Sequence, residues 1–469
     1  MQSHLQVKSP KWMAAVLMFG SFIGLFGETA LNMALTEVMT DFEVGPGTAQ
    51  WLTTGYLLVL AILVPLSAYL VRWFTTRQLI VGALVFSLIG SMLAAVSPNF
   101  AVLLAGRLIQ AMGTGVFLPL MFSVILMIFP MEKRGSVMGI VGLVMTAGPA
   151  LGPTIAGLIV SSASWHYIFW IMIVLYVLLL LFGAPKMENV SEITKPKIDI
   201  LSLMLATIGF GGFVYALATL AERPFSDPYV WVPLAAGITA LVLFVVRQFN
   251  MAEPMINLRV FKYPMFALGT VLVVATLFMI LSVAILIPLY LKSVLAYTAV
   301  AAGLLMLPAN VLNIIMSPLV GTNFDKVGAR VFTRIGFALI TASAVLMLMI
   351  LSSTTPVWQV IGALCFFFVG VSMTIMPSQT NAMNQLPPKL YADGSAAMNT
   401  LTQVAGAAGT AVAITMFTAG QNNYVAEHGP GQPLDMLAHG VHYAFIVVLI
   451  VAILGLIGSF FIKNSKPVR

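Results

Sequence analysis

Apolar stretches long enough to cross a lipid bilayer recur along almost the whole of this 469-residue chain. A membrane-spanning helix needs roughly 20 mainly apolar residues. Runs of about that length occur near residues 13–36, 50–71, 78–97, 100–128, 136–160, 165–184, 201–221, 229–246, 265–291, 298–323, 331–352, 357–380, 395–418 and 440–462. Only 8% of the residues are charged, whereas about 25% is usual in a soluble domain. The sequence therefore predicts an all-α integral membrane protein with fourteen spans, whose main surroundings are the lipid bilayer.

Basic residues are concentrated on one side of the predicted membrane. An even number of spans places both termini on the same side, and nineteen of the 22 Lys and Arg residues fall in the loops and tails there. Arg223 and Lys292 fall on the opposite side, and Arg107 lies within a span. Loops on the cytoplasmic side carry such an excess of Lys and Arg. We therefore predict that both termini are cytoplasmic, and that the net charge of +7 reflects topology rather than binding to nucleic acid.

The hydrophilic stretches leave no room for a catalytic or nucleotide-hydrolysing domain. The longest, 185–200, 247–264 and 419–439, are each too short to fold into one. The GxxxxGK[ST] phosphate loop of ATP-driven pumps does not occur in the sequence. Five histidines and one cysteine are scattered, and they suggest neither a metal site nor a nucleophilic dyad. We predict a protein that is not an enzyme and that holds no cofactor or metal.

One carboxylate, Glu28, lies inside the first apolar run, in the stretch "FGETALNMAL". A charge within the membrane costs several kcal/mol or more and usually serves a function. Gly24, Glu28 and Asn32 share one helix face, and Gly20 with Gly24 forms a small-xxx-small pair that lets another helix approach. We expect Glu28 to face the protein interior or a water-filled cavity, where it could bind and release a proton. The alternative is a structural ion pair or a carboxyl group that stays protonated.

A second charge, Arg107, lies inside the fourth run, in "LLAGRLIQAMGTG". Arginine keeps its charge when buried, so Arg107 could offset a neighbouring carboxylate. It could equally be a fixed structural contact between helices. Gln110 and Gly113 follow at helical spacing on or near the same face.

These segments resemble the fourteen-span drug:proton antiporters of the major facilitator superfamily. "GETALNMAL" and "QWLTTGYLL" are similar to the signatures of that group's first two helices, and "RLIQAMGTG" matches the R-x-x-Q-G-x-G pattern of its fourth helix except at Ala111. The resemblance implies the major facilitator fold, with two six-helix bundles and two extra transmembrane helices between them. The corresponding divisions are an N-terminal bundle over 1–184, a linker with the extra pair over 185–264, and a C-terminal bundle over 265–469.

The fifth predicted helix carries the most specific part of the resemblance. Its antiporter motif consists of glycines at set intervals that end in Gly-Pro, and here it comprises Gly139, Gly148, Pro149, Gly152, Pro153 and Gly157. Glycines let helices pack closely and an internal proline kinks a helix, so this helix could act as a hinge and a seal. In the superfamily the motif marks exporters.

A gating loop after the second span normally reads G-x-L-x-D-R-x-G-R-K, but "AYLVRWFTTR" matches it poorly because Arg72 stands where Asp is expected. A better copy, "GTNFDKVGAR", supplies a predicted gating loop of Gly321, Asp325, Lys326, Gly328 and Arg330. Two copies at corresponding places agree with an architecture built from internal repeats.

Polar and aromatic residues in the spans suggest a central substrate cavity. The candidates are Asn32, Trp51, Tyr56, Gln110, Tyr290, Asn310, Asn313, Gln379, Asn399 and Gln403. Each polar residue could instead form a hydrogen bond between two helices. Some of the 29 methionines could line an adaptable apolar pocket.

The sequence as a whole favours proton-driven export of amphipathic or hydrophobic compounds by alternating access, in which Glu28 and Arg107 couple transport to the proton. The expected cargo is a lipophilic small molecule that is neutral or singly positive, and the energy source is a proton gradient. We expect a monomer in a bacterial inner membrane. The alternatives are a dedicated exporter of one endogenous metabolite, lipid or signalling molecule, a non-transporting membrane sensor, and a solute importer.

Overall fold

Long α-helices make up most of the computed structural model, which describes residues 7–191, 193–195, 199–220, 223, 225–251, 254–429 and 433–464. In chain order the long helices are α1 Pro10–Ala30, α2 Pro46–Trp73, α3 Thr76–Ala95, α4 Phe100–Ile128, α5 Met131–Ser162, α6 His166–Leu178, α7 Ile200–Leu220, α8 Pro228–Asn250, α9 Pro264–Ser293, α10 Ala299–Val327, α11 Ala329–Ile350, α12 Val357–Asn384, α13 Tyr391–His428 and α14 Pro433–Phe460. A 3-10 turn, Leu31–Ala34, and a short helix, Leu35–Asp41, continue from α1. One π-helical turn, Leu179–Gly183, continues from α6.

Most of these helices can cross a membrane. Within the described ranges, thirteen are long and apolar enough to do so, and α2 contains a shorter apolar stretch, Trp51–Ser67. The same ranges contain no β-strand. A helix satisfies all of its backbone hydrogen bonds internally, which is what the interior of a bilayer demands. The predicted all-α membrane fold is confirmed.

Capping side chains define several helix starts. Thr75 and Gln78 form a capping box at α3, in which each side chain accepts a hydrogen bond from the other residue's backbone N–H. Asn99 caps α4 and Thr298 caps α10 in the simpler way, each accepting one N–H of the first turn. Gly328 separates α10 from α11 with a φ of 82°, a conformation that favours glycine.

The same close helix pairing recurs in the two halves of the chain. A Cβ atom on Gly90 of α3 would lie 2.5 Å from the carbonyl oxygen of Gly106 on α4, and one on Gly336 of α11 would lie 2.7 Å from that of Gly370 on α12. Such pairs let helix backbones touch. The repetition supports our proposal that two six-helix units end and begin near residues 184 and 264.

Helices α7 and α8 form a tight pair, in which α7 packs against α2 and α13. A bidentate ion pair links the two helices: Arg247 Nε and Nη2 donate to Asp199 Oδ2 and Oδ1 at 2.8 and 2.9 Å. Gln248 donates to Ser202 Oγ at 2.7 Å beside it. The pair therefore touches helices from both halves of the chain.

Candidate substrate cavity and buried charges

A cavity of about 530 Å³ lies between the two halves of the chain. Helices α1, α4 and α5 line one wall, and α9, α10, α12 and α13 line the other. The volume falls within the roughly 300–1,000 Å³ of ordinary small-molecule sites. Ser161 and Lys292 line it next to the far ends of α5 and α9, so the cavity extends toward the membrane side opposite the termini.

Charged side chains join the two halves on the side that carries the termini. Arg72 Nη2 at the end of α2 donates to Asp393 Oδ1 at the start of α13, at 2.6 Å. Arg134 Nη1 of α5 donates to Tyr391 Oη at 2.9 Å and to Asn384 Oδ1 at 3.2 Å. These contacts close the structure beneath the cavity.

Glycine contacts complete this closure where α5 meets α10. A Cβ atom on Gly139 would lie 2.8 Å from Gly321 Cα, and one on Gly321 would lie 2.5 Å from Gly139 Cα. The backbone N–H of Gly135 donates to Asp325 Oδ1 at 3.2 Å. No side chain fits between the two helices at this point.

Glu28 lies in the last turn of α1, partly buried, and lines the cavity. Its Oε2 atom is buried and has no hydrogen-bond partner among the described residues. The glycine stripe of α1 explains this position, because a Cβ on Gly24 would lie 2.6 Å from Thr114 Oγ1 of α4. The helix is therefore pressed against α4 one turn before Glu28, and Glu28 lines the cavity beside this contact.

Arg107 is fully buried in α4 and lies beside Gly27, the residue that precedes Glu28. Its Nη1 donates to the carbonyl oxygen of Gly27 at 3.0 Å and to Gln110 Oε1 at 2.6 Å, while Nε and Nη2 have no partner in the described ranges. The guanidinium also lies 4.2 Å from the ring centroid of Tyr56. Since no Glu28–Arg107 ion pair within 4.0 Å is found among the described residues, the carboxylate is attracted by the arginine but not bound to it.

Five of the predicted cavity residues lie together on the cavity wall. They are Asn310, Asn313, Gln379, Asn399 and Gln403. All five come from α10, α12 and α13, on the C-terminal side of the cavity.

Four other candidates lie elsewhere. Tyr56 and Gln110 belong to the network around Arg107, where Tyr56 Oη lies 2.7 Å from Thr114 Oγ1. Trp51 packs on Tyr215 of α7 at 5.8 Å between ring centroids, and Tyr290 donates to the carbonyl oxygen of Ser352 at 2.6 Å. The side chain of Asn32 lies outside the described part of the structure.

The antiporter-motif helix, α5, makes different contacts along its length. Gly139 meets α10, whereas Gly148 and Gly152 pack on α1, where an added Cβ would lie 2.8 Å from Leu25 Cβ and would overlap Thr29 Oγ1. Gly157 and Pro149 line the cavity. The side chain of Pro153 lies outside the described residues.

The predicted gating loop is divided between two environments. Gly321 and Asp325 contact α5 as described above, whereas the backbone N–H of Arg330 donates to Asn464 Oδ1 at 3.0 Å. Gly328 lies against Asn464 as well, and Lys326 is exposed.

Sequence reasoning missed Arg134, Tyr391 and Asp393, which carry the closing contacts. A usable signal for Asp393 existed, because it is an acidic residue at the start of an apolar helix on the predicted basic side.

Known proteins resemble this chain over most of its length. The family model described as Major Facilitator Superfamily matches residues 17–410. The chain is 49% identical to the lincomycin resistance protein LmrB of Bacillus subtilis, over 96% of this chain and 95% of that protein. It is 25% identical to the multidrug resistance protein B homolog of Mycobacterium tuberculosis, over 86% and 76% of the two chains.

A solved structure, that of the human organic anion transporter MFSD10, superposes with a TM-score of 0.67 at 14% identity, covering 96% of this chain and 99% of that one. At that identity the match concerns the fold. The predictions of the major facilitator fold and of a transporter rather than an enzyme are confirmed. The chain is a multi-pass membrane protein and belongs to the Major Facilitator Superfamily, among the fourteen-span drug efflux transporters that its sequence resembles.

Proposed function

We propose that this efflux transporter exports amphipathic compounds in exchange for protons, and that Glu28 carries the proton. The observation behind the proposal is the position of Glu28, whose carboxylate lines the cavity with a buried oxygen that no described residue satisfies. A buried polar atom without a partner is costly. A proton or a cargo molecule would remove that cost in turn.

The proposed cycle begins in the conformation described above, with the cavity extending to the side opposite the termini. A proton enters from that side and neutralises Glu28. Moving a charged carboxylate into a closed, apolar cavity costs several kcal/mol, so the neutral form favours the conformational change. The two halves then rock around the cavity, as alternating access requires. On the other side the proton leaves and the cargo binds.

Arg107 has a fixed role in this cycle. Its charge persists throughout, and its hydrogen bonds to Gly27 and Gln110 hold it beside the proton site. It can therefore favour the return of Glu28 to the charged form when the proton leaves on the other side.

The relatives suggest the cargo and the location. The names of two of them refer to lincomycin resistance and to multidrug resistance. We infer a lipophilic small molecule, neutral or singly positive, a monomeric protein, and a bacterial cell membrane with both termini in the cytoplasm, since nineteen of the 22 basic residues lie on that side.

The deciding experiment uses purified protein in liposomes with an imposed pH gradient. Wild type, Glu28→Gln and Glu427→Gln are compared for gradient-driven flux of lincomycin and ethidium, and for binding without a gradient. Glu427 is an exposed carboxylate at the end of α13 and serves as the matched control. We expect Glu28→Gln to bind cargo and to lose gradient-driven flux, while Glu427→Gln behaves as wild type. Full flux in Glu28→Gln would assign the proton to another group.

A further inference from the structure

The two walls of the cavity differ in chemistry. On the C-terminal wall, Asn310 and Asn313 share a face of α10, Gln379 projects from α12, and Asn399 and Gln403 share a face of α13. These five side chains are termed the carboxamide wall.

The opposite wall offers little besides Glu28 for a cargo to bond. Thr146 already donates to the carbonyl oxygen of Gly142 at 2.9 Å, and Ser161 to that of Leu158 at 2.9 Å. Thr154 also lines this wall, and the remainder is mainly apolar.

The carboxamide wall is poorly satisfied by the protein itself. Asn313 is 2% exposed and its Oδ1 has no partner among the described residues. The same part of the structure gives no hydrogen bond to the side chains of Asn310, Gln379 or Gln403. Asn399 Nδ2 donates to the carbonyl oxygen of Ser395 at 2.8 Å.

Carboxamides just below the cavity behave differently. Asn381 Nδ2 donates to the carbonyl oxygen of Lys463 at 3.0 Å, Asn384 Oδ1 accepts from Arg134, and Gln385 Oε1 accepts the backbone N–H of Met265 at 2.6 Å. Structural carboxamides in this fold therefore find protein partners. The carboxamides of the cavity, in contrast, keep donors and acceptors available. Because buried polar groups are normally paired, these groups are suited to bond a cargo molecule.

The charges of the cavity limit what can bind there. Its lining includes one carboxylate, Glu28, and one ammonium, Lys292 at the mouth, whose formal charges cancel. A cargo with several charges of one sign would leave most of them unpaired in a mainly apolar space, which is costly.

We infer that the carboxamide wall determines specificity, selecting neutral or singly charged amphiphiles that carry hydroxyl or amide groups. This inference rests on the proposed export function and adds the class of cargo. A hydroxyl or amide group can both donate to and accept from a carboxamide, so such a cargo satisfies the wall. An amphiphile without such groups leaves it unsatisfied, and sites built to hydrogen-bond their ligand reject such analogues.

The test compares two cargoes in pH-gradient liposomes. Lincomycin carries hydroxyl and amide groups, and tetraphenylphosphonium is a single cation with no hydrogen-bonding group. The variants are Asn313→Leu and Gln379→Leu, and the control is Gln359→Leu, which removes a carboxamide from the same helix as Gln379 but outside the cavity lining. Melting temperatures verify folding.

We expect each cavity variant to raise the half-saturating lincomycin concentration about tenfold, equivalent to about 1.4 kcal/mol. Tetraphenylphosphonium flux in these variants is expected to equal or exceed that of wild type, because leucine has no polar group that such a cargo would leave unpaired. Gln359→Leu is expected to match wild type.

Three results would overturn the inference. In the first, lincomycin transport is unchanged in both cavity variants. In the second, tetraphenylphosphonium flux falls in parallel with lincomycin transport in the cavity variants. In the third, wild type moves tetraphenylphosphonium and not lincomycin. A wild type that moves neither cargo under the gradient would contradict the proposed function itself.

Discussion

A single arginine inside the membrane contacts three different groups at once. Arg107 donates to the carbonyl oxygen of Gly27 and to Gln110, and its guanidinium lies over the ring of Tyr56. Gln110 in turn donates to Ser91 Oγ at 2.9 Å, so that the arginine orients a chain of polar groups across α3 and α4. A side chain that makes this many contacts tolerates little change in shape.

We predict that Arg107→Gln abolishes gradient-driven flux and destabilises the protein by about 2 kcal/mol, since hydrogen bonds to charged groups are worth roughly that much. Arg107→Lys keeps the charge and loses the forked geometry, and should retain part of the flux. Flux assays and melting curves of the two variants, with the exposed Arg77→Gln as control, check this. Wild-type flux in Arg107→Gln would show that no fixed cation is needed beside Glu28.

Sequence alone can locate residues of this kind, and the reason is physical. Charges such as Glu28 and Arg107 are conspicuous in apolar runs because the membrane excludes them unless something retains them. The face that an aromatic residue occupies is far harder to predict, since helices that are apolar all round have no polar side for orientation. Trp51 and Tyr290, for example, are candidates for the cavity in the sequence but lie away from it in the structure.

At one point, where Gly139 faces Gly321, helix α5 meets α10 without a side chain between them. The Gly139–Gly321 contact brings two backbones together, so an added methyl group would meet backbone atoms, which cannot rotate away. We predict that Gly139→Ala keeps the protein folded and lowers transport at least tenfold by obstructing closure on the side of the termini. Gly82→Ala on α3, where nothing lies within 4 Å, is the control for the flux assay. Equal flux in the two variants would mean that the helices can separate slightly without loss.

The inserted pair, α7 and α8, is joined by an ion pair at the membrane surface. A hydrogen-bonded Arg247 guanidinium lowers the pKa of the Asp199 carboxyl to about 2. Because the pKa in the folded state is lower than the unfolded value of about 4, the pair stabilises the fold at neutral pH and loses that contribution as the pH falls through 2. We predict that Asp199→Asn lowers the melting temperature equally from pH 5 to pH 8, and that its difference from wild type shrinks toward pH 2. A difference that persists unchanged at pH 2 would point to packing instead.

The number of spans follows from apolar length alone, whereas the contacts between the halves do not. Arg72 and Asp393 are separated by 321 positions, and neither lies in a pattern that points to the other. Arg72 departs from the usual gating sequence. This departure indicates an altered contact at that position but does not identify the partner of Arg72. In the structure this residue supplies the positive member of a pair whose negative member is on α13.

Arg72 also links the inserted pair to both halves of the molecule. Its carbonyl oxygen accepts the backbone N–H groups of Thr194 and Lys195, and its Nη1 donates to the carbonyl oxygen of Pro254 at 3.1 Å. Asp393 Oδ1 accepts the backbone N–H of Asn257 at 3.0 Å. The segments that enter and leave the inserted pair thus both meet the ion pair that closes the side of the termini.

Breaking this pair should therefore shift the balance between the two conformations of the whole molecule. The Asp393 side chain is 2% exposed, so water does not replace its partner, and losing about 1.4 kcal/mol of closure would change the population ratio tenfold. We predict that Arg72→Gln lengthens the distance between spin labels at positions 77 and 322, which are exposed on opposite halves at the closed side, measured in a Cys365→Ser background. Arg247→Gln removes an ion pair that does not bridge the halves and should leave the distance unchanged. An unaltered distance distribution in Arg72→Gln would mean that the glycine contact of α5 and α10 closes this side by itself.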